Sequence, residues 1–421
     1  MAVDPLQLPG EEPEPVNLPS KLLWSVVFAL LLTAGAAATV LLWPKSMPTN
    51  GWFFGMSLTV LPAAFASFVV ARRFSAFEVS KLDVRAKNEV VRAYNRSVFD
   101  AASKPFTVVF AAHRFSFDRD ENALIGVHDR SIKLISQAAI ASDAPPVIAR
   151  WIELPCVSLA AGSLAADMSR HKNVTKWLFA ELIDELIEAI KALPPRVSVN
   201  VHFFMSSLLP IEERDRLWND AWWERGLRNI DIAASDEDHG LMALDRWLDE
   251  AIETPDSKAR LVLAVQLNVL QSASPPSGAA EAGVALLLLP HGVATRHKMK
   301  AAVALHRPVR AGYEQANDAL QPALKWADSS AADIEGGWQT GLEAAQWGRV
   351  YPQAALLGLT EDVIKMDLSI GNTRVAAPWL AIACAAKSLS DDTSKQMVFA
   401  GSKSTFDCAV LVRPVANDVS A

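Results

Sequence analysis

The sequence predicts a layered α/β domain preceded by a two-helix transmembrane hairpin, and three observations lead to this prediction. Two uncharged apolar runs, residues 22–43 and 52–71, follow each other near the N-terminus. From Pro105 onward, short apolar segments alternate with amphipathic segments of helical period, which is the pattern of strands and helices packed in layers. The chain has 421 residues, 51% of them hydrophobic, enough for one large domain or two ordinary ones.

Charge and cysteine usage exclude several classes of protein. The net charge of -7 gives no reason to expect a nucleic-acid partner. Cys156, Cys384 and Cys408 are far apart and lie in apolar surroundings, so neither a disulfide framework nor a zinc site is indicated. We expect buried thiols in a reducing compartment, and no cofactor or metal ion.

Residues 1–21 are predicted to form a disordered tail. Five prolines and four acidic residues occur in the first 20 positions, and the segment has no apolar face. No basic segment precedes the first apolar run, so the tail does not have the pattern of a secretory signal peptide.

Residues 22–72 are predicted to form the hairpin. A helix of about 20 residues crosses a hydrocarbon layer of roughly 30 Å, and both apolar runs reach that length. The connection, residues 44–51, is short and contains two prolines, and Trp24, Trp43 and Trp52 stand near the helix ends where aromatic belts form. Pro62 is expected to kink the second helix. Two buried core helices are the alternative.

The basic residues predict which way the hairpin is oriented. Only Lys45 lies in the connection, whereas seven basic residues follow the second run: Arg72, Arg73, Lys81, Arg85, Lys87, Arg92 and Arg96. The positive-inside tendency then places both termini and the domain in the cytoplasm. Residues 73–104 alternate in charge at helical spacing, and they predict a juxtamembrane helix that lies along the anionic leaflet or leads into the domain. A solvated linker helix is the alternative.

The domain, residues 105–421, is expected to have two halves, about 105–290 and 300–413. No exact sequence repeat relates them. The predicted strands are 106–112, 123–128, 147–154, 196–204, 229–233, 260–268, 283–289, 301–306, 366–370, 396–400 and 407–413. The predicted helices are 129–141, 174–193, 211–225, 240–252, 313–326 and 379–389, and residues 328–360 are expected to be rich in loops.

The stretch from Asp367 to Leu389 is the most informative. A short extended segment runs into Gly371-Asn372-Thr373, where glycine permits a tight turn, and an alanine-rich helix follows. Pro378 fits only in the first helical turn. The helix beyond it is apolar almost all round, which predicts that it is buried.

This stretch resembles the second-half motif of the thiolase-like (β-ketoacyl synthase) fold, which reads Ile-Gly-His-Thr, a spacer and Ala-Ala-Gly. In that family the histidine polarises the thioester or assists decarboxylation. Asn372 stands at the matching position, and a carboxamide cannot titrate or act as a general acid or base.

The first half resembles the same family between residues 225 and 290. In that family a nucleophilic cysteine follows a buried strand and begins a buried helix. The segment 229–240 occupies that place here, so the nucleophile position falls at Ser235 or Asp236. Segments 278–289 and 400–412 match the strand Gly-x-Gly-Ala-x-x-Leu-x-Leu and the final glycine-rich turn and strand. The resemblance implies a degenerate αβαβα domain without a catalytic site, and therefore a protein that is not an enzyme.

Other residue groups are candidates for binding. Residues 236–239, Asp-Glu-Asp-His, would suit either a metal site or the start of a helix, where acidic residues favour the dipole. A basic loop and several tryptophans are candidates for contacting a protein partner, with a solvated loop and core packing as the alternatives. These partner candidates are Trp218, Trp223, Arg296, Lys298, Trp338 and Trp347.

In overall organisation the chain resembles the type VI secretion lipase adapter family, whose members have a thiolase-like region. The resemblance implies a non-catalytic protein of the bacterial inner membrane, with its soluble domain in the cytoplasm. Its partners would be a secreted phospholipase effector and the spike protein that receives it. A homodimer is compatible with the fold. Two alternatives stay open: an acyl-transfer enzyme that uses Ser235 or Asp236 unusually, and an acyl or lipid sensor.

Overall fold

The computed structural model describes residues 8–14, 19–142, 144–155, 157–233, 240–253, 258–299, 303–359, 363–390 and 394–413. The chain divides into two compact units, an N-terminal unit within Val3–Asp100 and a domain within Ala101–Ala421. Cys156, Ser235, Asp236 and the acidic cluster 236–239 lie outside the described residues.

Two long helices build the N-terminal unit. Helix α1 is Lys21–Leu42 and helix α2 is Trp52–Ala102, and each contains a window long and apolar enough to cross a membrane. They approach closely where Gly35 faces Pro62, because a side chain on Gly35 would begin only 2.7 Å from the Pro62 Cβ. One turn away the Thr39 hydroxyl donates to the Ser57 carbonyl at 3.2 Å. Small residues at such points let two helix backbones pack directly.

Helix α2 continues without a break from the apolar run into the charged segment, where a separate juxtamembrane helix was expected. Pro62 lies inside it. Residues 63–104 contain neither glycine nor proline, so nothing in the sequence interrupts the hydrogen-bond ladder where the composition changes. The change from apolar to charged residues therefore does not coincide with the end of the helix.

The described part of the tail, residues 8–14, has hydrogen-bond partners on α2, in contrast to the disorder expected from its composition. The backbone N–H of Glu12 donates to the Asn88 carboxamide oxygen, and the Asn88 amide donates to the Glu12 carbonyl, both at 2.9 Å. The composition of the tail predicts disorder because the segment can bury little apolar surface. It does not predict the hydrogen-bond partners that a neighbouring helix supplies.

The domain contains strands and helices in alternation, as the pattern of the sequence predicted. The strands are β1 Phe106–Arg114, β2 Ser136–Gln137, β3 Val147–Ile148, β4 Val199–Ser206, β5 Asp231–Ile232, β6 Ala259–Gln266, β7 Ala282–Pro290, β8 Val303–Leu305, β9 Val309–Gly312, β10 Gly336–Thr340, β11 Val363–Lys365, β12 Lys395–Gly401 and β13 Thr405–Val412. The helices are α3 Leu124–His128, α4 Leu164–Ala192, α5 Ile211–Trp223, α6 Met242–Glu253, α7 His291–Arg296, α8 Asn317–Trp326, α9 Ala344–Leu356, α10 Met366–Ser369 and α11 Ala377–Ser388.

The order of the strands reveals a duplication that the sequence hides. In the first half the path β5-β4-β6-β7-β1 places the third, second, fourth, fifth and first main strands side by side. In the second half the path β11-β10-β12-β13-β8 has the same order. In both halves the fifth strand is antiparallel to its two neighbours, and the third, second and fourth are parallel. Antiparallel pairing of β1 with β8 joins the halves.

The central strands bury both faces, which produces five layers. Along β7, Val284, Leu286 and Leu288 point into one core, and the alternate residues Ala285 and Leu287 point into another. The first core contains α6 and α11 together with the inner faces of both halves. The outer cores hold α4 and α5 on one side and α8 and α9 on the other. The predicted αβαβα stack is therefore confirmed.

Aromatic side chains fill the middle layer between the two halves. The Trp379 ring of α11 stacks on Phe204 of β4 at a centroid distance of 4.9 Å and lies 6.1 Å from Trp247 of α6. All three are fully or almost fully buried. Offset aromatic stacking adds to the burial of their large apolar surfaces.

Several predicted segments differ in the structure. Residues 124–128 form helix α3 where a strand was predicted, and the predicted helix 129–141 is irregular apart from β2. Residues 366–369 form helix α10, although Met-Asp-Leu-Ser-Ile alternates like a strand. The reason is tertiary: the Asp367 carboxylate accepts bonds from the Thr340 hydroxyl and the Gly341 N–H, both at 2.8 Å. The expected loop region 328–360 contains β10 and α9.

Replacing Trp379 by alanine is expected to destabilise the protein by about 3–5 kcal/mol, because it leaves a cavity between two sheets that cannot close independently. Trp223→Ala is the matched control, since its side chain is 59% exposed and its loss should cost within about 0.5 kcal/mol. Chemical unfolding of the detergent-solubilised full chain, followed by tryptophan fluorescence, measures both. Equal losses for the two variants would contradict the packing of the middle layer described here.

Candidate functional site

The candidate site lies where the second half turns into the middle layer. Gly371 adopts φ +105°, and a side chain there would begin 2.7 Å from the Ala280 Cβ and 3.1 Å from the Gly278 oxygen. Only glycine fits both constraints. The proline Pro378 lies in the first turn of α11, as expected, and the helix beyond it is buried on nearly all sides. The predicted turn and buried helix are confirmed, although a short helix and not a strand precedes them.

Asn372 holds the turn in place through hydrogen bonds of both its backbone and its side chain. Its N–H donates to the Gly278 carbonyl at 2.8 Å, and its carbonyl accepts from the Ala280 N–H at 3.0 Å, so the turn is held against the entry to β7. The carboxamide oxygen accepts the N–H of Arg374 at 2.8 Å, while Arg374 adopts φ +42°. The side chain therefore shapes its own turn. A carboxamide in this role cannot exchange protons with a substrate.

The two described thiols are unsuited to nucleophilic chemistry. Cys384 lies inside α11 and Cys408 in the middle of β13, both fully buried. Burial raises the pKa of the Cys384 thiol to about 12, and it raises the pKa of Cys408 as well, with Asp407 adding to the effect. The nucleophile of a cysteine enzyme is the thiolate, which neither residue forms near neutral pH.

Three histidines that are buried or half-buried are held in their neutral form. Burial lowers the pKa of His113 and of His202 to about 3, and that of His306 to about 4. His113 and His306 hydrogen-bond to the carbonyl oxygens of Asn122 and Trp326 at 3.0 Å and 2.9 Å. Among the described residues no three His, Cys, Asp or Glu side chains come together as a metal site would require.

A buried ion pair connects the start of α4 to the segments around β7. Arg170 donates to both carboxylate oxygens of Glu281, at 2.9 Å and 2.6 Å, and the two side chains are 1% and 0% exposed. Glu281 also accepts the N–H groups of Ile152 and Asn268 at 2.9 Å and 2.7 Å. The carboxylate thus joins three separate segments beside the Asn372 turn. Such a network positions loops but presents no group to a substrate.

The neighbouring Asp167 fixes the loop after β6. Burial alone raises the pKa of this carboxyl, but the N–H groups of Gln271, Leu270 and Ser272 and the Ser272 hydroxyl outweigh it and hold the pKa below its usual range. The four contacts measure 2.6–2.9 Å. Asp167 is therefore a structural anion at neutral pH.

An open cavity of about 450 Å³ lies next to the turn. Its lining includes Leu134 and Arg150, and Leu134 also contacts Gly371. The Arg150 N–H donates to the Ala279 carbonyl, and the Arg150 carbonyl accepts the Glu281 N–H. The same short segment, 279–281, also pairs with Asn372. Further lining side chains are mixed apolar and charged: Phe117, Glu121, Ile132, Lys133, Ile135, Trp151 and Glu153.

The structure separates the predicted partner-binding residues into two groups. Trp218 and Trp338 are fully buried and Trp347 nearly so, which corrects the expectation that they face a partner, because they pack in the cores. Trp223 on α5 is exposed, Arg296 is the exposed last residue of α7, and Lys298 is exposed just after that helix, where a basic loop was expected. Ser235 and Asp236, the expected nucleophile positions, lie outside the described residues.

Sequence reasoning missed the cavity and the Arg170–Glu281 pair. The residues that line the cavity lie between 116 and 153, a stretch in which the helix predicted over 129–141 is absent from the structure. Arg170 and Glu281 are 111 residues apart, and a local sequence pattern cannot predict a contact between such distant residues. The one available signal is Glu281 itself, an acidic residue at the entry to a strand that is otherwise apolar.

Solved structures resemble this chain in fold. The ishigamide ketosynthase/chain length factor aligns with 74% of this chain and 100% of its own at 14% identity and a TM-score of 0.52. The oxazolomycin ketosynthase domain OzmH KS7 of Streptomyces albus JA3453 aligns with 74% of each chain at 12% identity and a TM-score of 0.50. The peroxisomal 3-ketoacyl-CoA thiolase of Saccharomyces cerevisiae aligns with 74% of this chain and 99% of its own at 11% identity, with a TM-score of 0.47.

No protein-family model matches the sequence, and no curated protein matches it. The domain has a thiolase/ketosynthase-like layered α/β fold with a mixed sheet, preceded by two long apolar helices. At these identities the likeness concerns the fold alone.

Glu281→Gln is expected to destabilise the protein by about 3–5 kcal/mol, because it leaves the Arg170 charge buried without its counter-ion. Lys258→Met, which breaks the exposed pair with Asp231, is the control and should cost under about 1 kcal/mol. Urea unfolding of the full chain in detergent compares them. A Glu281→Gln protein as stable as the control would show that the pair contributes little.

Stability is expected to fall as the pH drops below about 6.5. The folded pKa values of His113, His202 and His306 are lowered, so between pH 6.5 and about 4 the unfolded chain binds protons that the folded chain does not. Each such histidine costs up to about 1.4 kcal/mol per pH unit in that range. Urea midpoints at pH 7.5, 6.5 and 5.5 measure the slope, and His113→Gln should reduce it. A slope unchanged by that substitution would contradict the assignment to His113.

Proposed function

We propose that this protein is a non-catalytic adapter, tethered to the bacterial inner membrane by its hairpin, with its thiolase-like domain in the cytoplasm. In this proposal it binds a phospholipase effector of the type VI secretion system and delivers it to the spike protein. The observation that carries the proposal is Asn372, whose carboxamide closes its own turn at the place where the enzymes of the resembled family hold an imidazole.

The chemistry of the described residues supports a binding role. An acyl-transfer site of this type needs an ionisable nucleophile and an imidazole near the developing oxyanion. The described thiols are buried and have raised pKa values, and three histidines that are buried or half-buried have lowered pKa values. Polar side chains near the turn, such as Arg170 and Glu281, are engaged with each other.

The filling of the middle layer supports the same conclusion. An acyl chain that entered between the two halves of the domain would have to occupy the middle layer. Here Trp247, Trp379 and Phe204 stack there, and each is fully or almost fully buried. A stacked aromatic cluster stabilises the domain but leaves no room for an acyl chain at that place.

Trp223 is the strongest candidate for a contact with the effector. It lies at the last position of α5 and exposes 59% of its surface, whereas its neighbour Trp222 is buried. Exposed tryptophans and basic side chains are typical of the centres of protein interfaces. The exposed basic side chain of Lys298, at φ +50°, is the second candidate.

The adapter function predicts that a phospholipase effector co-purifies with the full chain from detergent extracts of its native cells. Trp223→Ala should weaken effector binding by about 2 kcal/mol, or roughly 30-fold, without loss of stability. Asn372→Ala should leave binding unchanged. Biolayer interferometry with the purified effector measures both, and no binding at micromolar concentration would refute the proposal.

The cavity beside the turn favours a second candidate, a sensor of acyl groups or lipids. Its lining combines the apolar side chains of Phe117, Ile132 and Trp151 with Lys133 and Arg150. It also contains Glu153 and Glu121, which pairs with Arg150 at 3.3 Å, so an amphipathic ligand with charges of both signs would suit it. Native mass spectrometry of the protein extracted with its membrane lipids separates the two candidates. A bound acyl species that Arg150→Ala removes would favour the sensor, and its absence would remove this candidate.

A further inference from the structure

The amide side chains of helix α2 hold the backbone of the N-terminal tail. Asn88 both donates to and accepts from the Glu12 backbone, at 2.9 Å each, and is only 6% exposed. Two helical turns further on, the Asn95 amide donates to the Pro9 carbonyl at 3.0 Å. Because these bonds engage main-chain groups, they set the position and direction of the tail whatever side chains it carries.

Two arginines on the same face recognise the tail's carboxylates. Arg92 forms a bidentate pair with Glu11 at 2.8 Å and 2.6 Å, and Arg85 pairs with Glu14 at 3.0 Å and 3.4 Å. The hydrogen bond from Arg92 is the main cause that lowers the pKa of Glu11, and that from Arg85 acts in the same way on Glu14. Both glutamates are therefore ionised at neutral pH, and the fork geometry of arginine matches them.

The two sets of contacts have a common spacing. Within each set, partners are three residues apart along the tail and seven apart along the helix. Seven helical residues rise about 10.5 Å, and three residues of extended chain span about 10 Å. An extended segment running antiparallel to the helix therefore stays in register with one face of it. Proline at position 13 favours that extended form.

We propose that the face of α2 formed by Arg85, Asn88, Arg92 and Asn95 is a docking site whose occupant is the chain's own acidic tail, residues 9–14, and that this contact is a salt-sensitive latch. Docking holds the chain that precedes α1 against α2, and Lys21 begins α1 only seven residues after Glu14. The latch also requires the tail and residues 85–95 to lie on the same side of any bilayer that the hairpin crosses. Release of the tail takes Glu11 and Glu14 away from Arg92 and Arg85, whose side chains are already 63% and 55% exposed in the docked state.

A spin label on the tail tests the latch in the full chain in detergent. Gly10 has open space around it, so Gly10→Cys carries a nitroxide without disturbing the contacts, and equally treated wild-type protein supplies the blank. At low salt the label should be immobilised. Arg85→Gln combined with Arg92→Gln should lower the ratio of docked to free tail about tenfold. Raising the salt to about 1 M should act in the same direction.

The matched control makes the same change in net charge as the two arginine substitutions, but on the opposite face of the helix. Ala86→Glu combined with Val90→Glu changes the charge by two units at exposed positions and should leave the label immobilised. Equal mobility of the Gly10→Cys label with and without the two arginine substitutions would overturn the proposal. So would release of the tail in the control variant, since net charge and not this face would then hold it. A spectrum that changes on dilution with unlabelled protein would assign the tail to a second copy and overturn docking within one chain.

Discussion

The burial of the central strands on both faces is the constraint on which the rest of the domain depends. A strand such as β6 or β7 cannot lie against water on either side, so each sheet half needs a helical layer above and below. Two halves share the helices between them, and the shared layer must accept side chains from both sheets at once. Bulky aromatic residues on α6, α11 and β4 meet this demand.

The sequence predicts correctly those parts of the fold whose own residues are apolar enough to indicate that they are buried. The run 282–290 is apolar throughout, and it is a central strand. The strand Gly336–Thr340 contains two glycines, a glutamine and a threonine, and it is buried by its place between β11 and β12 and not by its own hydrophobicity. It was therefore missed. Strand order and the duplication were equally hidden, because pairings between distant segments leave no local pattern.

The candidate site was predictable in position but not in its surroundings. The turn at Gly371 could be placed because a glycine, an asparagine and a proline occur at the spacing that a tight turn and a helix start require. That the Asn372 oxygen accepts the Arg374 N–H depends on the backbone angle of one residue and could not be predicted. The neighbouring Arg170–Glu281 pair depends on segments that meet only in the folded domain.

The Asn372 turn shows how one polar residue can fix the approach to the buried helix. The carboxamide oxygen accepts the N–H of Arg374, and the Asn372 N–H and carbonyl pair with Gly278 and Ala280 at the entry to β7. Gly371 supplies the backbone angle that brings these groups together. Because α11 begins at Ala377, shortly after the turn, and carries Trp379 into the middle layer, the turn and the packing of that layer support each other.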